Sequence, residues 1–448
     1  MVGVAVTRRR RVRGTAALLL VALALGACRP QASESNAGSD DGSPTTVAGE
    51  PTEATLAPGV TEDTIKIGMF APLSGPAAVY GKGMRSMVAL YEEVNEQGGV
   101  NGRRLELVVE DSECDPTTVN LVVTKLIDSE GAFLLHGGMC SNAVINALPE
   151  IEQSGIPFVV MAAAAAEIID PPIRNVFAPW VSQPANTIAI AEYVVSFLSE
   201  TGGSRVALVS QRDDWGTGWI SFLQRDLEAI AQREGVTYEL VADEELREDL
   251  TDATPQVRRV LESDADLSVV FALPQPMSVY LRDADAQGLD IPILTGNAVE
   301  PAEQLDRVGN RAAVDNLTTT YCFGEPLDSA AMEPYRRRLA DSSPNDEFDG
   351  IAVSGVVGAE VIIEVLTALG DDLTWDSFIE GMEAIEAYES PLSPTPVSFT
   401  PFGEGDPSSR SGADRCILSA LDPEGADESD VVVFEPVYQG SAAAAVEQ

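Results

Sequence analysis

Phe133-Leu-Leu-His-Gly-Gly-Met-Cys-Ser-Asn-Ala-Val144 is the stretch from which the fold class can be read. Phe133 to Leu135 is a short apolar run that reads as a buried strand. Gly137 and Gly138 make a turn, and Cys140 and Ser141 open a helix that continues through Leu148. A helix start carries backbone N–H groups without partners and the positive end of the helix dipole, so it stabilises a carboxylate without needing Lys or Arg. Two glycines let the backbone approach a ligand closely, and the Ser141 hydroxyl adds a donor. The plainer alternative is an ordinary strand-turn-helix connection in which Ser141 only caps the helix. The surrounding chain has to decide between them.

Working outward, strands and helices alternate. Ile65 to Ala71 reads as a strand, Pro72 to Pro76 as a turn and Val79 to Asn95 as a helix, followed by a strand over Leu105 to Glu110 and a helix over Pro116 to Asp128. Ile156 to Met161 is a fourth strand. A second series follows Pro184: helix Asn186 to Leu198, strand Arg205 to Ser210, helix Trp215 to Arg233, strand Thr237 to Val241, helix Ala253 to Glu262, strand Leu267 to Ala272, helix Pro276 to Gln287 and strand Pro292 to Thr295. Beyond Thr320, helices are expected over Ala330 to Leu339, Gly350 to Leu369 and Trp375 to Glu386, and strands over Pro396 to Thr400, Ile417 to Leu421 and Val431 to Val437. Such alternation predicts an α/β protein whose mostly parallel sheets are covered by helices on both faces, with ligands at the carboxyl ends of the strands.

The chain has 448 residues and 45% hydrophobic content, enough for two or three domains with buried cores. Residues 1–27 are set apart. Arg8 to Arg11 with Arg13 form a basic leader, Ala16 to Leu25 an apolar run shorter than a comfortable membrane span, and Leu25-Gly-Ala-Cys28 a small-residue box before a cysteine. This resembles a bacterial lipoprotein signal peptide, which implies a lipid anchor at Cys28 and export to the outer face of the cytoplasmic membrane. Residues 28–60 are rich in Ser, Gly, Pro, Thr and acids, and are expected to be a disordered tether. Removing the five leader arginines takes the formal charge from −43 to −48, with 23 basic residues against 71 acidic. A surface that acidic repels nucleic acid, so no DNA or RNA partner is expected. Cys114, Cys140, Cys322 and Cys416 remain, an even number in an exported chain, and by sequence alone three disulfide pairings are open.

The motifs Ile65-Lys-Ile-Gly68, Leu73-Ser-Gly-Pro76, Tyr80-Gly81, Asn95-Glu-Gln-Gly-Gly-Val-Asn-Gly102, Glu110-Asp111, Cys114-Asp-Pro116, Gly155-Ile-Pro157, Asp214-Trp-Gly216 and Ala286-Gln-Gly-Leu289 resemble one family. It is the type I periplasmic binding proteins of the leucine/isoleucine/valine-binding group, the solute receptors of ABC importers. The resemblance implies a bilobed α/β fold with three hinge crossovers and a ligand clamped between the lobes. It places one lobe at 61–183 plus 323–395, the other at 184–322 plus 396–438, and a frayed end at 439–448. It implies the pairing Cys114–Cys140, leaving Cys322–Cys416 for a bond near the hinge. For partners it implies a small-molecule solute and ABC permease subunits, with the chain acting as a monomer and without cofactor or metal.

By the same resemblance the ligand contacts are Ser74, Tyr80, Met139, Cys140, Ser141, Ala162, Ala163, Ala164, Trp215 and Asn297. Ser141 corresponds to the serine that holds the carboxylate, and Tyr80 and Trp215 to aromatic walls from the two lobes. There are two departures. Ala164 stands where the family has a threonine, and Asn297 where it has the acid that pairs with a ligand ammonium. A buried ammonium without a carboxylate partner is costly, so tight binding of leucine or valine is not expected; an amide, a urea-type solute or a carboxylic acid suits the cleft better, unless Asp213, Asp214 or Glu300 compensates. No positioned nucleophile, base or metal cluster is evident, and the single histidine, His136, ends a buried strand, so no enzyme is expected. The competing readings are a ligand-sensing module of the same fold that signals to a membrane receptor, and an extracytoplasmic α/β hydrolase.

Overall fold

The computed structural model describes residues 57–403, 407–413, 416–422 and 431–434. The leader, Cys28, nearly all of the expected tether and the chain beyond Phe434 lie outside the described residues.

The first sheet contains β1 (Thr64–Ala71), β2 (Arg104–Asp111), β3 (Leu134–Gly137), β4 (Phe158–Val160) and β5 (Val176–Phe177) in the order β2-β1-β3-β4-β5. All its pairings are parallel. Its helices are α1 (Gly81–Glu96), α2 (Pro116–Thr124) and α3 (Ser141–Ser154). The second sheet has β6 (Arg205–Gln211), β7 (Glu239–Leu246), β8 (Leu267–Phe271), β9 (Ile293–Thr295) and β10 (Leu317–Tyr321), which run parallel, and β11 (Ile417–Leu421) and β12 (Val431–Phe434), which add antiparallel at one edge. The order is β12-β11-β10-β9-β8-β6-β7. Helices α4 (Gln183–Thr201), α5 (Asp214–Glu234), α6 (Thr254–Glu262), α7 (Pro274–Gln287) and α8 (Pro301–Val308) follow its strands, and α9 (Glu333–Ser342), α10 (Gly350–Val353), α11 (Val356–Leu369) and α12 (Trp375–Glu383) return to the first sheet.

The central strands of both sheets are buried on both faces. In the first, Ile65, Ile67, Met69 and Ala71 of β1 pack with α1, α11 and α12, while Phe70 joins Val123, Val144 and Phe158 on the α2 and α3 side. In the second, Ala207 and Val209 face α6 and α7, while Val206 and Leu208 face α4 and α5. Period-two side chains therefore fill two layers per sheet, which is why the strands read as continuous apolar runs. The chain passes between the sheets three times, after β5, after β10 and after α12.

Several sequence expectations need correction. The strand expected over Pro396 to Thr400 is a single bridge between Tyr388 and Val397; Pro391, Pro394 and Pro396 withhold ladder donors, and Val397 and Phe399 pack in the core of the first sheet, with Phe399 5.2 Å from the Phe177 ring. The helix expected over Gly350 to Leu369 breaks at Ser354 and Gly355, where φ is 81° and a Cβ on Gly355 would lie 2.6 Å from Met161. β5, α8 and β10 were not anticipated. β7 starts two residues and ends five residues later in the chain than Thr237 to Val241 suggested, and its exposed acids blunt a sheet edge.

Candidate functional site

The opening stretch folds as read: β3 ends at Gly137, and α3 begins at Ser141. Gly138 has φ 85°, and a Cβ there would lie 2.6 Å from Val144. Unlike α2, α4 and α5, whose starts are capped by Asp115, Ser182 and Asp213, α3 has no side-chain cap. Its N-cap, Cys140, is held by a disulfide to Cys114, so the leading amides of α3 stay available. Met139, Cys140 and Ser141 are half-buried.

A chain of contacts runs from this helix start around a space between the two sheets. The Ser141 hydroxyl oxygen accepts from Ala165 N at 3.3 Å, which joins the serine to the alanine segment after β4. In that segment Ala163 is buried, while Ala162 and Ala164 are partly exposed. The Ala164 carbonyl accepts from Gln183 N at 2.9 Å at the start of α4, and the Gln183 amide oxygen lies 3.5 Å from where a Cβ on Gly218 of α5 would stand. On α5, Trp215 packs with its ring centre 5.8 Å from that of Trp219, and Trp219 lies tilted against Phe271 at 4.8 Å. The Trp219 ring also closes on Gly296, where a Cβ would sit 2.7 Å away, placing Asn297 directly beyond it. Glu300 follows, with its carboxylate against Gly350 of α10: a Cβ there would be 3.1 Å from Oε1. Asp349, beside Gly350, holds the buried ammonium of Lys82 on α1. Tyr80 precedes that lysine by two residues, and Met161 closes the circuit by packing on Gly83.

Of the ten expected ligand residues, Ser141, Ala162, Ala163, Ala164 and Trp215 make contacts in this circuit, while Tyr80, Met139, Cys140 and Asn297 stand one or two residues along the chain from residues that do. Cys140 acts through the disulfide, its sulfur being engaged there. Ser74 stands apart; it is exposed and hydrogen-bonds Asp111 at the end of β2, whose Oδ1 also accepts from Leu73 N at 2.8 Å. Both disulfides pair as the resemblance implied, Cys114 with Cys140 and Cys322 with Cys416. The second pair joins the residue after β10 to the residue before β11, spanning two of the passages between sheets.

Charge in the circuit is unevenly distributed. Burial pushes the Tyr80 phenol up, with Glu248 and Glu303 of the second sheet's half adding to the effect. Burial also pushes the Glu300 carboxyl up to about 7, reinforced first by Asp349 and opposed by Lys82. The sequence singles out Glu300 only as one of three acids able to compensate for Asn297, and carries no signal for Asp349 or Gln183. His136 is remote in role: it is fully buried, shares a 2.8 Å hydrogen bond through Nδ1 with the Tyr91 hydroxyl, and burial pushes it down to about 3, so it is a neutral core imidazole.

The periplasmic binding protein family matches the chain over residues 64–406. The chain belongs to that family. Among its relatives are an amino acid binding protein of Pseudomonas aeruginosa, 22% identical over 61% of this chain and 71% of the relative, and the leucine-, isoleucine-, valine-, threonine- and alanine-binding protein of the same organism, 24% identical over 63% and 73%. In structure the chain is similar to a fatty acid ABC transporter substrate-binding protein from Thermomonospora curvata, with TM-score 0.69, 22% identity, and coverage of 88% of this chain and 97% of that one. A solute-binding protein from R. palustris in complex with 4-hydroxybenzoate superposes with TM-score 0.66 at 21% identity, covering 83% and 96%. Members of this periplasmic binding protein family are extracytoplasmic solute-binding proteins, and the two-sheet α/β architecture is theirs.

Proposed function

We propose that this periplasmic binding protein is the receptor of an ABC importer, anchored through a lipid at Cys28 on the outer face of the cytoplasmic membrane. It captures a small organic solute between lobes close to 61–183 plus 323–395 and 184–322 plus 396–438, and passes it to permease subunits. The uncapped start of α3 beside Ser141 supports this reading, because free leading amides at a helix start suit an anion and the contacts running from Ser141 lead to groups of both sheets. A solute that touches both halves binds the closed arrangement more strongly than the open one, and shifts the equilibrium by that difference.

Asn297 and Ala164 remove two polar grips that a free amino acid would use. The reading therefore favours an amide, a urea-type solute or a carboxylic acid, with Tyr80 and Trp215 as apolar walls. Thermal-shift screening of the mature chain against amino acids, amides, short acids and aromatic acids tests it, since a cleft-closing ligand raises the melting temperature by mass action. A hit should weaken about tenfold in Ser141→Ala, the loss of one hydrogen bond to a charged group. A screen without hits, or a hit indifferent to Ser141→Ala, overturns it. Acylation at Cys28 is checked separately by mass spectrometry of the membrane fraction, in which Cys28→Ser should be absent.

A further inference from the structure

The three passages between the sheets are tied to one another in two different ways. Along most of their length, and at the first sheet, the ties are hydrogen bonds and packing. Ala178, the residue after β5, donates its N–H to the Arg410 carbonyl at 2.8 Å and accepts from Gly412 N at 2.7 Å, which joins the first passage to the third. Trp180 of the first passage has its ring centre 5.3 Å from that of Phe323 in the second. Gly324 N and Glu325 N of the second passage both donate to the Pro391 carbonyl of the third at 3.1 Å. A Cβ on Gly324 would lie 2.4 Å from the Ser393 carbonyl oxygen, so glycine is what lets these two passages approach. Hydrogen bonds of this kind are worth about 1 kcal/mol each and can exchange as a chain bends.

At the root of the second sheet the tie is covalent. Cys322 directly follows β10 and Cys416 directly precedes β11, and these strands pair antiparallel with Tyr321 opposite Ile417. Their disulfide therefore joins the second passage to the third where both leave the sheet, with the two Cα atoms 4.6 Å apart. Asn186, in the first turn of α4 and 1% exposed, brings the first passage into the same knot. Its Oδ1 accepts from the Thr320 hydroxyl at 2.5 Å and lies 3.3 Å from Cys322 Sγ, while its Nδ2 donates to the Ser182 carbonyl at 3.0 Å. Thr320 and both cysteines are buried, so water does not compete for these contacts.

We propose that the Cys322–Cys416 disulfide and Asn186 form a hinge clamp, which makes the second-sheet end of all three passages one rigid block. Bending is then confined to residues 178–182, 323–326 and 408–413, and the cleft opens over a limited range. A chain that closes on a ligand gives up the freedom of its open states, and a clamp that removes part of that freedom beforehand lowers the cost of closure. This rests on the closing-receptor reading and adds to it the element that restrains the motion.

The test is hydrogen exchange read by mass spectrometry, with small-angle scattering, on the mature ligand-free chain. In the parent, the amides of 320–322 and 417–418 should be protected, and those of 323–326 and 411–413 should exchange faster. Cys322→Ala/Cys416→Ala should raise exchange at 320–322 and 417–418 roughly tenfold, leave β1 and β8 unchanged, and enlarge the radius of gyration. Asn186→Ala keeps the disulfide and should give a smaller change at the same amides; it decides the matter where the double variant fails to fold. Exchange and radius equal to the parent's in every variant that folds, or exchange raised evenly across both sheets, overturns the proposal, because the disulfide then acts on stability alone. A parent whose scattering profile no solute of the screen alters sinks the closing-receptor reading itself. A parent that closes on a solute while the double variant opens no wider sinks only the clamp.

Discussion

Replacing Glu300 by Gln should stabilise the ligand-free protein at pH 8 and leave it unchanged in acid. The folded carboxyl lies at about 7 against an ordinary 4.5, because burial and Asp349 disfavour its charge. The folded state thus binds this proton more tightly than the unfolded chain. Stability contributed by the protonated form is complete below about 4.5, declines as pH rises, and is lost above about 7. Two and a half pKa units correspond to about 3 kcal/mol, and partial solvent access reduces this to about 1 to 2 kcal/mol. Gln keeps the shape and carries no charge, so it should escape the penalty. Thermal melting followed by Trp fluorescence should show Glu300→Gln melting about 2–6 °C above the parent at pH 8, with the gap narrowing by at least half at pH 5.5. An equal gap at both pH values, or a less stable variant at pH 8, would refute the assignment of Glu300 as a destabilised, unpaired carboxylate.

Three other changes probe the frame of the site. The sequence separations of 26 and 94 residues give the disulfides chain-entropy contributions of roughly 3.5 and roughly 4.7 kcal/mol. Cys322 and Cys416 are 1% and 0% exposed, so alkylation and mass mapping after mild reduction should label Cys114 and Cys140 first, with a loss of solute affinity because Cys140 holds the start of α3. Gly296→Ala forces a methyl to 2.7 Å from the Trp219 ring and should cost about 1–3 kcal/mol while displacing Trp215 and Asn297, readable as a shift in Trp emission. Arg410 is fully buried, lies 4.8 Å from the centre of the Phe177 ring and pairs with Glu383 at 2.5 Å; Arg410→Met strands that acid and should lower stability by about 3–5 kcal/mol in denaturant melts.

Sequence reading reached the fold through period and punctuation. The apolar runs at Ile65, Phe133, Arg205 and Leu267 became parallel strands because both faces of each sheet are covered, and the Gly137-Gly138 turn became a helix start. Weak local signals were missed. β10 is Leu317-Thr-Thr-Thr-Tyr321, three hydroxyl side chains in a row without an apolar run, yet Thr319 and Thr320 are buried because each finds an acceptor in Gly296 or Asn186. α8 did carry marks, Pro301 at its first turn and Gly309 at its end, within a stretch too short to show a face. At the site, the first-half residues fall close together in sequence and were recognisable. The Lys82–Asp349 pair spans 267 positions, and no local pattern announces such a contact.

That long-range pair explains the electrostatics of the cleft. Lys82 could have neutralised Glu300 across the gap; Asp349, from its own side of the gap, holds it instead. Had the lysine bridged the halves, closure would be favoured without solute, and a ligand would gain little by stabilising it. With the lysine held by Asp349, Glu300 stands against Gly350 and beside Asp349 without a paired cation, and on the proposed receptor reading its charge at high pH would oppose closure until a partner arrives. Asp349→Asn should release Lys82 toward Glu300, favour the closed form without ligand, and reduce radius-of-gyration changes on ligand addition in small-angle scattering; an Asp349→Asn protein that stays as open as the parent would show that the lysine's partner does not set the balance.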